Sequence, residues 1–262
     1  MVIDFHTHIF SEKIAAKALG NLSAVCGITP AMDGTAAGLT AYMEQCGIDR
    51  AVVLPVMTKA SQTQRMNEWF ASVASEKLIP FGGIHPENED YKERIADIKR
   101  LGMKGVKMHP EYQNFWIDDE KMYPVYEEIL RQDLILLIHS GEDAAYTAPF
   151  HCTPQRLQKM VRKMGGGKIV AAHFGAHKMW DEVEEYLVGE ELYFDTSMGT
   201  QYYDMEQFLR IVRGHGADKI LFATDSPWSD AKQEMETIRS SGLTAEEIEL
   251  IFCGNAQRLL VG

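Results

Sequence analysis

Leu134-Ile-Leu-Leu-Ile-His-Ser-Gly141 is apolar without a break up to its histidine. A strand with one wet face alternates in polarity, whereas a strand apolar on both faces belongs to a parallel sheet covered on both sides. Similar short apolar runs lie near residues 2–6, 51–56, 80–84, 104–108, 168–172, 192–195 and 219–223, which with 134–138 makes eight. Between them, helical patterns occupy about 11–19, 38–46, 61–77, 89–101, 120–132, 154–164, 177–187, 204–213 and 231–240. Eight strand–helix alternations predict an α/β fold, a single (β/α)8 TIM-type barrel spanning residues 1–262. Met66, Trp69, Phe70 and Val73 read as the core stripe of their helix. The tail from Leu243 to Gly262 reads as two short helices closing the structure, with Thr244 and Glu247 placed for a capping box.

Composition narrows the function. The chain has 262 residues, 45% hydrophobic, with 26 Lys+Arg against 38 Asp+Glu, a net charge of −12. That balance repels phosphate backbones and anionic lipid, so no nucleic-acid or membrane partner is expected. The opening MVIDFHTHIF lacks a basic segment followed by a long apolar one, and the cytoplasm is the expected compartment. Cys26, Cys46, Cys152 and Cys253 are scattered with no CxxC pair, so they read as buried small hydrophobes in a reducing environment. The glycines at 165–167 leave a helix and enter a strand, which makes them a turn rather than a phosphate loop.

The histidines carry the functional signal. Of nine, His6, His8, His85, His109, His139 and His173 fall at or just past the carboxyl end of an expected strand, and Asp225 follows the eighth. Those ends converge on one mouth in a barrel, where active sites of this architecture sit. His6-Thr7-His8 places two imidazoles on one strand face, which at the mouth points inward. His139 adds a third nitrogen and Asp225 a hard carboxylate. Three nitrogens and one oxygen suit zinc with a position open to water, Mn2+ or Fe2+ being alternatives.

The pieces DFHTHIF, GVKMHP, LILLIHSG, VAAHFG, YFDTS, LFATDSPW and GNAQRLL, in this order along the whole chain, resemble the amidohydrolase superfamily, particularly its amidohydrolase-related (amidohydrolase_2) branch. The resemblance implies a distorted (β/α)8 barrel with one or two divalent metals at its mouth. It implies His6, His8, His139 and Asp225 as ligands, and His173 as a second-metal ligand or a catalytic residue. One ion is expected rather than two. Some members carry a carboxylated lysine after the fourth strand, bridging two metals; Lys107 sits near that place, or it faces the substrate with His109. The sequence departs from two other HxH families: it has Ser226 and Pro227 after Asp225 in place of Asp-x-His, and Lys107 and His109 where the second family places a glutamate after the fourth strand.

The expected chemistry is hydrolysis of a small amide, lactone or ester by a metal-bound hydroxide, with Asp225 moving the proton and His173 bonding the water or the oxyanion. The alternative is a mononuclear zinc decarboxylase or hydratase on the same scaffold. A non-enzymatic barrel with structural metal fits less well, because structural zinc closes all four positions. His85 reads as structural, and His151, His177 and His215 as solvated or locally bonded. Asp4 either supports the site or caps a loop. Phe10, Tyr112, Phe115, Trp116, Tyr146, Phe174, Tyr202, Tyr203 and Trp228 give the mouth loops an aromatic character, without conspicuous arginines. A small substrate with at most one charge is therefore expected. A homodimer is the expectation from symmetry alone.

Overall fold

The computed structural model describes residues 1–199, 202 and 204–261. Its strands are β1 (Ile3–Thr7), β2 (Arg50–Val53), β3 (Leu78–Pro80), β4 (Gly82–Gly83), β5 (Gly105–Met108), β6 (Ile135–Ile138), β7 (Ile169–Ala171), β8 (Tyr193–Asp195) and β9 (Ile220–Leu221). They pair in parallel in the orders β1-β2-β3 and β4-β5-β6-β7-β8-β9. Only Phe81 separates β3 from β4, and its amide bonds Val53 O at 3.0 Å, so the two form one stave. The last stave meets the first through Phe5 N to Phe222 O at 2.8 Å and Asp225 N to His6 O at 2.8 Å. These bonds join the two sheets at both seams, giving the eight-staved TIM-type barrel expected.

Alternation along the staves sorts the core into two layers. Ile3, Phe5, Val52, Leu54, Ile135, Leu137, Val170, Leu221 and Ala223 fill the barrel interior. Val53, Val106, Leu136, Ile138, Ile169, Phe194 and Phe222 face the surrounding helices. Cys253, Ala256, Leu259 and Leu260 from the tail join the interior layer. The two expected tail helices are Ala245–Glu249 and Asn255–Val261, joined through a π-helical turn at Leu250–Gly254, and the Thr244–Glu247 capping box is present.

Most helices fall where the periodicity puts them, with two differences. The first runs Ala15–Cys26, beyond the expected 11–19, and a short helix at Pro110–Gln113 follows β5 where none was expected. Proline at its first turn and the His109 cap start that helix; it is too short to leave a periodic pattern. Phe70 is buried while Met66, Trp69 and Val73 pack against the core as a stripe. Gly165, Gly166 and Gly167 all adopt positive φ in the turn into β7. Cys152 and Cys253 are buried, but Cys26 and Cys46 are half-buried. No described helix is long and apolar enough to cross a membrane.

Gly141 shows why one mouth loop tolerates no side chain. It bridges His177 in parallel fashion, and a Cβ there would lie 2.2 Å from the His177 amide nitrogen. Its φ of +87° is also one that L residues rarely adopt. Gly141→Ala is expected to cost about 2–4 kcal/mol, because backbone rather than a flexible side chain must move. A denaturant midpoint within experimental error of the parent would contradict this.

Candidate metal centre at the barrel mouth

His6 and His8 do not reach the interior by simple alternation. Ile3 and Phe5 already point inward, so an unbroken strand would turn His6 out. The β1–β2 register shifts between Asp4 and Thr7, where three steps along β1 match two from Ala51 to Val53. The extra residue reverses the parity and brings His6 into the mouth. Beyond β9, Asp225 holds φ +62° and thus sits in the left-handed region, as do His173 at +59° and Phe174 at +58°. Such backbone costs about 1 kcal/mol or more and persists where surrounding contacts impose it.

Asp4 supplies part of that imposition. It is buried, and its carboxylate accepts from His6 N at 3.2 Å, Thr224 N at 3.0 Å and Thr224 Oγ1 at 2.6 Å. Burial pushes its carboxyl up to about 7. The residue therefore ties the first stave to the last directly beneath the site.

The hydrogen bonds fix the proton positions on the rings. His6 Nδ1 lies 2.8 Å from Asp195 Oδ2 and His8 Nδ1 lies 2.9 Å from the Leu54 carbonyl. Both partners only accept, so both Nδ1 atoms donate and each neutral ring presents a bare Nε2. Those two nitrogens are 3.2 Å apart, and Asp225 Oδ1 lies 3.4 Å from the first and 3.1 Å from the second. Asp225 Oδ1 is buried without a hydrogen-bond partner. Three electron-rich atoms at such separations repel one another unless a cation lies between them. Ligands about 2.0–2.1 Å from a tetrahedral zinc are about 3.3–3.4 Å from each other. The set fits a divalent ion.

Lys107 is buried in the same mouth with Nζ 3.2 Å from His6 Nε2, and burial lowers its ammonium to about 8. The fourth expected ligand, His139, does not join the trio. Its ring groups with His109 and Asp143, and its Nδ1 lies 3.0 Å from His173 Nε2. Ser197 Oγ donates to Asp195 Oδ1 and so accepts from His173 Nδ1 at 2.9 Å. In that chain His173 Nε2 accepts from His139 Nδ1, leaving His139 Nε2 bare, buried and without a partner. Burial, then the neighbouring His109 and Lys107, hold His139 well below the usual imidazole range. His139 Nε2 is thus the nitrogen this pair offers to a cation, because His173 Nε2 takes the His139 proton.

Asp195 organises the centre. It is fully buried and receives His6 Nδ1, His173 N at 3.0 Å, Ser197 N at 3.1 Å and the Ser197 hydroxyl. Burial alone would raise its carboxyl; the facing His6 ring and these hydrogen bonds hold it below the ordinary range. Sequence reading gave it no role, although it stands in YFDTS at a strand end, a position that could have singled it out. Asp143 was missed too. It lies on the loop after β6, with Oδ2 3.4 Å from His109 Nε2 and Oδ1 accepting from Ala145 N at 2.8 Å.

The other expectations divide. His109 caps the short helix after β5, stacks on His139 at 4.0 Å and lines the mouth cavity. His85 takes a structural bond from Glu87 N; His151 bonds the Pro110 carbonyl at the start of the helix after β5, and the buried His215 bonds Leu192 O and stacks on Phe194. His177 departs from its expected solvated or locally bonded state. It lines the cavity with Nδ1 buried and unpartnered, and burial lowers it to about 4. Its place follows from the Gly141 bridge, a long-range contact that no local pattern announces.

A cavity of about 470 Å³ opens over these groups. Phe10, Tyr112, Tyr146, Tyr202 and Trp228 line it, whereas Phe115 and Phe174 belong to the core and Trp116 packs on His151. Tyr203 lies outside the described residues. Leu22, Val25 and Cys26 of the helix Ala15–Cys26 form one apolar wall. Among the described residues no arginine lines the cavity.

A parallel barrel with a cluster of candidate cation ligands at the carboxyl ends of its staves defines the class. The chain belongs to the amidohydrolase family Amidohydro_2, whose model matches residues 3–261. No curated protein matches it in sequence. Among solved structures, an uncharacterised TIM-barrel protein from Bordetella bronchiseptica is 19% identical, with 99% of this chain and 98% of that one covered at a TM-score of 0.77. A dihydroxybenzoic acid decarboxylase from Polaromonas sp. JS666, with bound manganese and 2-nitroresorcinol, is 16% identical, covering 99% and 96% at 0.73. A Pseudomonas putida protein provisionally assigned as a 2-pyrone-4,6-dicarboxylic acid hydrolase is 17% identical, covering 99% and 97% at 0.69. At these identities the likeness is one of fold.

Proposed function

We propose that this chain is a metal-dependent hydrolase of small amides, lactones or esters. The observation that carries the reading is the division of the donors into two groups, His6–His8–Asp225 with Lys107 against it and, apart from these, the bare His139 Nε2 beside His109. Zinc is the ion we assign, with Mn2+ or Fe2+ able to replace it, and the second group takes a second ion when Lys107 is carboxylated. A bound divalent ion supplies Lewis acidity and lowers the pKa of water to about 7.

The chain's own residues do the rest. Asp225 holds the proton taken from the attacking water and returns it to the leaving group. His173, whose Nδ1 donates to Ser197, orients the attacking water by accepting its hydrogen at Nε2. Lys107, as the uncarboxylated ammonium, bonds the substrate carbonyl oxygen, with His109 beside it. The apolar walls exclude bulk water from the substrate. A decarboxylase is the second reading, favoured by the aromatic lining and by the Polaromonas relative's reaction.

Metal content per chain, intact mass, and a panel read both for acid release and for carbon dioxide release test this. About one ion with unmodified Lys107, and acid release from esters or amides, is the expected result; about two ions with a lysine heavier by one carbon dioxide would make Lys107 a bridge within the same hydrolase reading. About one ion with unmodified Lys107 and carbon dioxide from ring acids would replace hydrolysis by the lyase reading.

A further inference from the structure

The cavity holds a polar group that hydrolysis at the metal centre leaves unused. Asp143 has only 15% of its side chain exposed; its Oδ1 accepts from Ala145 N at 2.8 Å, and its Oδ2 lies 3.4 Å from His109 Nε2 and 4.0 Å from His139 Nε2. His109 Nδ1 accepts from Tyr112 N at 3.4 Å, so in the neutral ring Nε2 carries the proton and faces the Asp143 carboxylate. The carboxylate therefore keeps lone pairs free for a further donor in the cavity.

Two phenol rings stand beside it. Tyr112 and Tyr146 meet edge to face with centroids 5.3 Å apart, and both line the cavity. Tyr146 N bonds the Asp143 carbonyl at 3.0 Å, and the Tyr112 ring meets the His109 ring edge to face at 4.5 Å, with His109 Nε2 3.4 Å from the Asp143 carboxylate. A carboxylate flanked by aromatic rings in an apolar cavity is the chemistry that binds an ammonium group: the ring quadrupoles and the anion act in the same direction.

The remaining charges agree. Glu142, Asp143 and Asp225 line the cavity against Lys107 and Lys178. Lys107 is held at His6, and Lys178 is exposed over the Tyr202 ring at 5.1 Å. With no arginine among the described lining residues, a second carboxylate on a substrate would meet Asp143 without a clamp.

We propose that Asp143, Tyr112 and Tyr146 form a recognition site for a cationic amine, so that the substrates carry an ammonium group near the bond that reacts. The proposal rests on the hydrolase reading for the word substrate, but the site itself is testable by binding alone. Calorimetric titration of the metal-loaded protein at neutral pH with phenethylamine, which is protonated there, and with 2-phenylethanol compares cation and neutral analogue. Phenethylamine is expected to bind at least tenfold more tightly. Asp143→Asn should reduce that preference to threefold or less, and Tyr146→Leu, a change in a partly exposed loop residue, should weaken amine binding about threefold.

Ligation of the metal by a neutral amine would survive Asp143→Asn, so a preference unchanged in that variant overturns the proposal. Equal binding of the two probes, or no amine binding up to its solubility, overturns it as well. Amine preference lost in the variant, with no ester or amide hydrolysed, would uphold the site and remove the hydrolase reading.

Discussion

Asp225→Asn is expected to lower turnover by about 10³-fold or more and to lose most of the bound divalent metal. The amide keeps the shape and tolerates the left-handed backbone at φ +62°, so a folding defect is not the cause. The charge is. In the metal-free protein the effect on stability should have the opposite sign. Asp225 Oδ1 there faces two bare nitrogens at 3.4 and 3.1 Å, and an amide N–H could donate to one of them. Without metal, the Asp225→Asn variant should thus melt at or above the parent, while added zinc should stabilise the parent alone. Equal zinc stabilisation of both would refute the trio as the ion's site.

Asp195→Ala should be the most damaging single change away from the cavity. It strips partners from His6 Nδ1, two backbone amides and the Ser197 hydroxyl, all buried. Breaking such a set costs about 3–5 kcal/mol. It also frees the His6 proton to move to Nε2, which would block the ion at one ligand. Asp195→Asn separates the two effects: most of the stability should return, but metal affinity should stay at least tenfold down, because one amide N–H then faces a ring N–H. Urea titration and metal competition read the two quantities independently. Full metal affinity in the Asp195→Asn variant would show that the His6 tautomer is not set by Asp195.

The tautomer chain also explains why one carboxylate reaches both donor groups. From Asp195 the hydrogen bonds run to His6 on one side and through Ser197 to His173 and His139 on the other. A change at Asp195 therefore reaches every ring nitrogen proposed to meet an ion except that of His8, which is oriented by the Leu54 carbonyl.

Local patterns in the sequence determined the barrel. Parallel strands covered on both faces must be apolar throughout, so LILLIHSG and its seven counterparts, spaced by amphipathic helices, could be read one segment at a time. The same order placed His6, His8, Lys107, His139, His173 and Asp225 at strand ends, and the fold carries strand ends to one mouth. The tertiary structure decided which of them meet. The register shift between Asp4 and Thr7 turns His6 inward, and that shift exists only in the pairing of β1 with β2. It also decided that His139 stands with His173, His109 and Asp143 rather than with the trio, and that Asp195 and Asp143 reach the site at all. Periodicity fixes the direction of a side chain relative to its own backbone. Distances between groups on different staves depend on shear, bulges and loop bridges such as that between Gly141 and His177, which are properties of pairs of segments and not of either one alone.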